Sequence, residues 1–193
     1  MSRTLFVGDV HSCSQELCLL LRETKPDRVI LLGDVFNKGP DPEGTWDLVR
    51  EWRAESVLGN HDLRVRKLAK RGQWLAPPEA VQWLKTLPIT LEGPTWVAVH
   101  GGLNPDGATT QRQAVRLRRW PDDSDRRHPF WWQCYRGQKL VIYGHDALRG
   151  LQDHRPRTLG LDTGCVYGGA LSGYLLEADE VIAVPAGASY QSI

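Results

Sequence analysis

Much of what would settle a protein's class at a glance is missing from this 193-residue sequence, and each absence excludes something. No apolar run reaches the ~18 residues of a membrane-spanning helix, so a membrane protein is not expected. The four cysteines, Cys13, Cys18, Cys134 and Cys165, form no CxxC pair. They read as reduced thiols of a cytoplasmic protein. A formal net charge of only +1 gives no global pull toward nucleic acid or a membrane surface. There is no repeat of solenoid length and no low-complexity segment. An apolar strand begins by Thr4, which leaves no room for a signal peptide.

What remains is ordinary in bulk: 41% hydrophobic and 24% charged residues, enough for a real core. One domain over 1–193 is expected, with an irregular cap over about 103–139. The first third reads β-α-β-α-β through Val57, with parallel pairing and right-handed crossovers. Helices are expected near 13–24, 43–54, 62–71, 78–86 and 108–119, the first capped by Ser12 or Ser14. Residues 89–92 and 96–99 read as a hairpin, and strands return near 140–143, 158–162, 170–176 and 180–184. The expected fold is α/β (α+β): a two-layer sandwich of mixed sheets flanked by helices.

Five apolar strands end in the same grammar, a metal-ligand side chain beside a glycine. Gly33-Asp34 opens the stretch Gly33–Pro40 after Val29–Leu32. The others are Gly8-Asp9-Val10-His11, Gly59-Asn60-His61-Asp62, His100-Gly101-Gly102 and Gly144-His145-Asp146. Strand C-terminal ends are where an α/β sheet binds its ligand. Asp9 and His11 suit one metal ion, Asp34 can bridge two, and Asn60, His100 and His145 suit the second. Imidazole and hard oxygen without thiolate favour Mn²⁺, with Fe, Zn²⁺, Co²⁺ or Mg²⁺ as further options. Such a centre activates a bridging hydroxide for attack on phosphorus. Asp34 and His61 are the candidate catalytic residues, with His61 as proton donor to the leaving oxygen. Lys38, Asn60, Arg116 and Arg118 are the candidate substrate contacts, with Arg136 in reserve.

In this order the five motifs resemble the calcineurin-like metallophosphoesterase superfamily over nearly the whole chain. Gly160-Leu-Asp-Thr-Gly-Cys-Val-Tyr-Gly-Gly169 narrows the resemblance to the bacterial diadenosine tetraphosphatase branch, relatives of the Ser/Thr protein phosphatases. That resemblance implies Asp9, His11 and Asp34 around one ion, and Asp34, Asn60, His100 and His145 around the other. It also implies His61 as the leaving-group acid. Ala147 stands where another large branch has a second histidine, which excludes that branch.

The sequence departs from the phosphatase pattern in three places. Asn37-Lys38 replaces an Asp-Arg pair, Asp62 replaces Glu, and Ser12 replaces a glycine. An amide at 37 stabilises an imidazolium less than a carboxylate does, which favours good leaving groups. The expected substrate is therefore a phosphoanhydride such as diadenosine tetraphosphate, cut symmetrically to two ADP. A Ser/Thr/Tyr protein phosphatase, a polyphosphate or tripolyphosphate hydrolase, and a metal-free protein-binding scaffold are the alternatives. The expected partner is a small phosphate compound or phosphopeptide, with no membrane and no nucleic acid. Trp131, Trp132 and Tyr135 suit either adenine stacking or cap packing. The basic run 64–71 reads as a solvated face, Gly160–Gly169 as architecture, and Cys165 as buried.

Overall fold

The computed structural model describes residues 2–74 and 77–192; Met1 and Ile193, the ends of the expected domain, lie outside the described residues. Among the described residues, ten strands form two five-stranded mixed sheets. β1 (Thr4–Val7), β2 (Arg28–Leu31) and β3 (Glu55–Ser56) run parallel in the first sheet. β9 (Ala170–Leu175) pairs antiparallel with β1, and β10 (Glu180–Pro185) with β9. In the second sheet β5 (Trp96–Val99), β6 (Leu140–Tyr143) and β8 (Thr158–Gly160) are parallel. Antiparallel β4 (Thr90–Glu92) and β7 (Gln152–His154) form its edges.

Both faces of each sheet are covered, which is why the central strands read as unbroken apolar runs. Phe6, Ile30 and Leu32 point between the sheets and meet Trp96, Ala98 and Ile142. Their neighbours Leu5, Val7, Val29 and Leu31 point outward, under α1 (Ser14–Thr24) and α2 (Pro42–Glu51). Leu17, Leu20, Leu21 and Thr24 form the buried face of α1, as their spacing predicts. The expected serine cap is absent. Cys13 occupies the N-cap position without a side-chain bond, and Ser14 Oγ donates to Asp41, which itself caps α2.

The cap does more than cover a cleft. Its Ala114, Leu117 and Trp131 pack on Val99, Val141 and Tyr143, sealing the outer face of the second sheet. The helix expected over 108–119 is only α5 (Gln111–Arg116); α3 (Asn60–Lys70), α4 (Pro78–Thr86) and the short α6 (Trp131–Cys134) are also helical. After α5 the backbone N–H groups of Arg118 and Arg119 donate to the Asp123 carboxylate instead of to helix carbonyls. Trp120 N–H donates to Pro129 O and Trp131 N–H to Arg118 O, so the segment returns as a pinned ribbon. That long-range pairing outweighs local helix propensity. The polar edge strand β7 was not anticipated, because it carries no apolar alternation.

Candidate active site and metal centre

The loops after β1, β2, β3, β5 and β6 converge at one end of the sandwich. Glycine permits the convergence at two points. A Cβ on Gly59 would overlap the Asp34 carboxylate and amide, and one on Gly144 would overlap Asp9 Oδ1. His11, Ser12, Asp34, Asn37, Lys38 and His145 all adopt positive φ, between 47° and 84°. Left-handed conformations of non-glycine residues cost about 1–3 kcal/mol each and gather at functional sites.

Asp34 is the hub of these loops. It is 2% exposed, and its carboxylate lies 3.7 Å from His11 Nε2 and 3.4 Å from His100 Nε2. Oδ1 also accepts the His61 backbone N–H at 2.7 Å. Two triads share this residue: His11, Asp34 and His61, and Asp34, His100 and His145. Within each triad the candidate ligand atoms lie within 4.8 Å of one another. His100 Nδ1 donates to Leu32 O at 2.7 Å, and His11 Nδ1 lies 3.4 Å from Phe36 O. Each ring therefore turns Nε2 inward, the arrangement that orients metal-binding imidazoles.

The donor set fits cations. Asn60 Oδ1 sits 2.8 Å from His145 Nδ1, 3.1 Å from His100 Nε2 and 3.2 Å from Val115 O. An amide oxygen facing the Val115 carbonyl is unfavourable unless its amide rotates or a cation lies between them. The two carboxylates of the set respond in opposite directions: against its burial, Asp34 is held well below the usual carboxylate range by His100, then His11. Burial, then Asp162, pushes Asp9 well above the usual carboxylate range. Burial works against a charged His100, yet Asp34 and Asp9 carry its pKa to about 10. Both carboxylates thus draw positive charge toward this ring, as a bound cation would supply it.

Around this hub, Asp62 and Asn37 fix the loops. Asp62 is fully buried and accepts backbone N–H groups from Gly59 and Asp34 at 2.9 Å and from Val35 at 3.1 Å. Burial, then the neighbouring Asp34, raises its pKa to about 7 against the pull of those amides. Asn37 Nδ2 lies 2.8 Å from His61 Nδ1. Burial foremost lowers the His61 pKa to about 4, with Lys38 adding to the effect against Asp34.

A cleft of about 740 Å³ opens over these groups. Asp9, His11, Asp34, Lys38, Asn60, His61, Arg118 and His145 line it, and His100 lies fully buried beside them. Two candidate contacts are not brought there. Arg116 is exposed at the end of α5 and lines a separate depression with Thr110 and Pro121. Arg116 ends α5 and Arg118 follows the extended Leu117, and the two line different pockets. Arg136 turns back onto the carbonyls of Gln133 and Tyr135.

The cleft also holds residues that sequence reasoning missed, among them Arg119, Phe130, Asp146 and Arg149. Asp162 and Tyr167 line it as well, so the Gly160–Gly169 stretch is more than architecture. Burial raises the Asp162 pKa to about 6, and Tyr167 OH bonds Lys38 Nζ. Trp131 is a core residue packed on Tyr143, 5.1 Å between ring centres, and Trp132 stacks between Phe130 and His154. Within the basic run, Arg66 and Lys70 flank a shallow groove beside Trp74.

Comparison with known proteins agrees with this geometry. The symmetrical bis(5'-nucleosyl)-tetraphosphatase of Chromohalobacter salexigens is 28% identical, covering 96% of this chain and 99% of the relative. Its aligned span of 269 positions exceeds the 193 residues here, so that relative carries inserted segments this chain lacks. The asymmetrical bis(5'-nucleosyl)-tetraphosphatase PrpE of Anoxybacillus flavithermus is 26% identical, covering 95% and 94%. A crystal structure assigned as a diadenosine tetraphosphatase superposes with a TM-score of 0.90 at 32% identity, covering 96% of this chain and 94% of its own. The model of the calcineurin-like phosphoesterase family matches residues 2–181, with every strand-end motif inside that span. This chain belongs to the calcineurin-like phosphoesterase family.

Proposed function

We propose that this chain is a metal-dependent hydrolase of phosphoanhydrides, with diadenosine tetraphosphate as substrate and two ADP as products. Asp9, His11, Asp34, Asn60, His100 and His145 would hold two divalent ions, with Mn²⁺ as first choice. Bound there, the ions would supply Lewis-acid activation of water and neutralise phosphoryl charge. Lys38 and Arg118 sit where they can hold non-bridging phosphoryl oxygens, Lys38 steadied by Tyr167.

The observation that carries the substrate choice is the Asn37–His61 pair at 2.8 Å. With Asn37 donating to Nδ1, His61 is neutral and keeps its one proton on Nε2. A neutral imidazole is a weak acid. It suits a leaving group that departs without full protonation, such as a nucleoside diphosphate, better than a serine alkoxide. The names of the relatives support the same substrate.

Relatives of both product specificities resemble this chain to a similar degree, so the place of cleavage needs a direct test. The Mn²⁺-loaded protein is incubated with diadenosine tetraphosphate and the products are separated by chromatography. ADP alone supports the symmetrical reaction. AMP plus ATP moves the attack to a terminal phosphate and favours the asymmetrical one. Rapid cleavage of phosphopeptides without turnover of the dinucleotide overturns the anhydride reading.

A further inference from the structure

We propose that Arg119 and Arg149, both stacked on Phe130, form a second phosphate subsite that grips the distal phosphates of a polyphosphate chain. The proposal deepens the anhydride reading and rests on it for the position of the reacting phosphate. The Arg149 guanidinium carbon lies 3.8 Å from the centre of the Phe130 ring, and that of Arg119 lies 4.2 Å from it. All three residues line the cleft that contains the metal-ligand set. Cation–π stacking holds a guanidinium by its face and leaves its edges free for oxygen.

One edge of each guanidinium is already fixed. Arg149 Nε donates to Asp146 Oδ2 at 2.8 Å, and Arg119 Nη1 donates to the His128 carbonyl. Among the described residues, the terminal nitrogens of Arg149 and the remaining nitrogens of Arg119 have no hydrogen-bond acceptor. Two planar cations are thus held over one ring and by one edge, each with donors still to satisfy. A chain of phosphates offers acceptors in that forked geometry.

The platform itself is braced. Arg119 and Phe130 are partners in an antiparallel bridge, so their side chains stand side by side. Behind Phe130, Trp132 stacks almost parallel, at 5.4 Å and 4°, and Trp132 in turn stacks on His154 at 4.2 Å. The column runs from the edge strand β7 to the cleft. It ties the cap to Arg149, which follows the candidate ligand His145 by four residues. Little ordering remains to be done when a ligand arrives.

The charge balance around the pair agrees. Lys38, Arg118 and Arg126 line the same cleft. Outside the metal cluster and Asp162, the facing carboxylates are Asp123 and Asp146. Asp123 is engaged by the backbone N–H groups of Arg118 and Arg119, and Asp146 by the side chains of Arg118 and Arg149. On this reading a lone phosphate held at the metal centre leaves the pair unoccupied, whereas a chain of three or more phosphates extends to it.

Calorimetry on the Mn²⁺-loaded full chain tests the subsite without turnover. The probes are orthophosphate, a methylene-bridged inorganic triphosphate, and the same triphosphate analogue capped with adenosine. Wild type should bind both triphosphates more tightly than orthophosphate. Arg149→Gln combined with Arg119→Gln should weaken both by about tenfold or more relative to orthophosphate. Phe130→Leu should produce a smaller loss of the same kind with both charges retained, and thermal unfolding checks that each variant is folded. Equal losses for orthophosphate and triphosphate, or no loss, overturn the subsite. A loss confined to the adenosine-capped probe assigns these residues to the base and also overturns it. If wild type shows the chain-length preference yet does not cleave diadenosine tetraphosphate, the subsite stands and the proposed substrate falls.

Discussion

The carboxylate of Asp62 accepts the backbone N–H of Asp34, 28 residues away, at 2.9 Å. The same carboxylate takes the amides of Val35 and Gly59, so one buried side chain sets the spacing between two ligand-bearing loops. Asp62→Ala leaves three buried N–H groups without partners. The expected loss is about 3 kcal/mol, with relief of the buried charge already offsetting part of the three lost bonds. In a chain of this size that lowers Tm by about 6–12 °C in a thermal melt. A change under 1 °C would mean that the loops hold their positions without it.

The Asn37 amide touches His61 at Nδ1, 2.8 Å away. Asn37→Asp supplies a carboxylate that stabilises the imidazolium and raises the pKa of His61 from its lowered value of about 4. Protonated His61 then persists to higher pH. Turnover of substrates with poor leaving groups should rise relative to anhydrides, by about tenfold or more in the ratio of kcat/KM. Parallel assays on a phosphoserine peptide and diadenosine tetraphosphate measure that ratio. An unchanged ratio removes His61 from leaving-group chemistry.

Ser12 is misplaced by two physical criteria. Its φ is 64°, and its fully buried hydroxyl has no hydrogen-bond partner among the described residues. Ser12→Gly relieves both, against the extra chain entropy of glycine. A net gain of about 1 kcal/mol is expected. Chemical denaturation reads it as a higher midpoint at unchanged slope. A lower midpoint would show that the hydroxyl packs usefully where it is.

Asp34→Asn tests the shared carboxylate. Removing a supporting residue of a metal site typically costs about 10–100-fold in affinity or activity. Loss of the residue common to both triads should cost at least the upper end of that range. Elemental analysis after dialysis should find less metal than in wild type, and chelation of the wild type should reproduce the lost turnover. Full metal content in the variant would assign Asp34 a role in proton transfer or loop structure instead.

The strand-end motifs were legible because each is local. A buried strand, a glycine and a ligand side chain adjoin in the chain, and any ordering of the sheet that keeps those ends together makes a site. Boundaries inside the cap were not legible. Arg118 to Trp120 left the helical pattern because Asp123 and the 129–131 segment took their backbone groups, and helical periodicity carries no trace of those partners. The aromatic run was visible, but its division of labour was not: Trp131 enters the core while Phe130 faces the cleft.

By itself the sequence determined the fold class, the parallel order of the first strands, and a donor set of imidazole and hard oxygen. These follow from hydrophobic periodicity and from the chemistry of single side chains. Only the tertiary structure decided which arginines line the cleft. Arg116 and Arg118 are two residues apart yet line different pockets. Arg119 and Arg149 lie thirty residues apart and meet on one phenylalanine ring. Such meetings depend on how the cap folds back over the second sheet, and that is set by long-range packing.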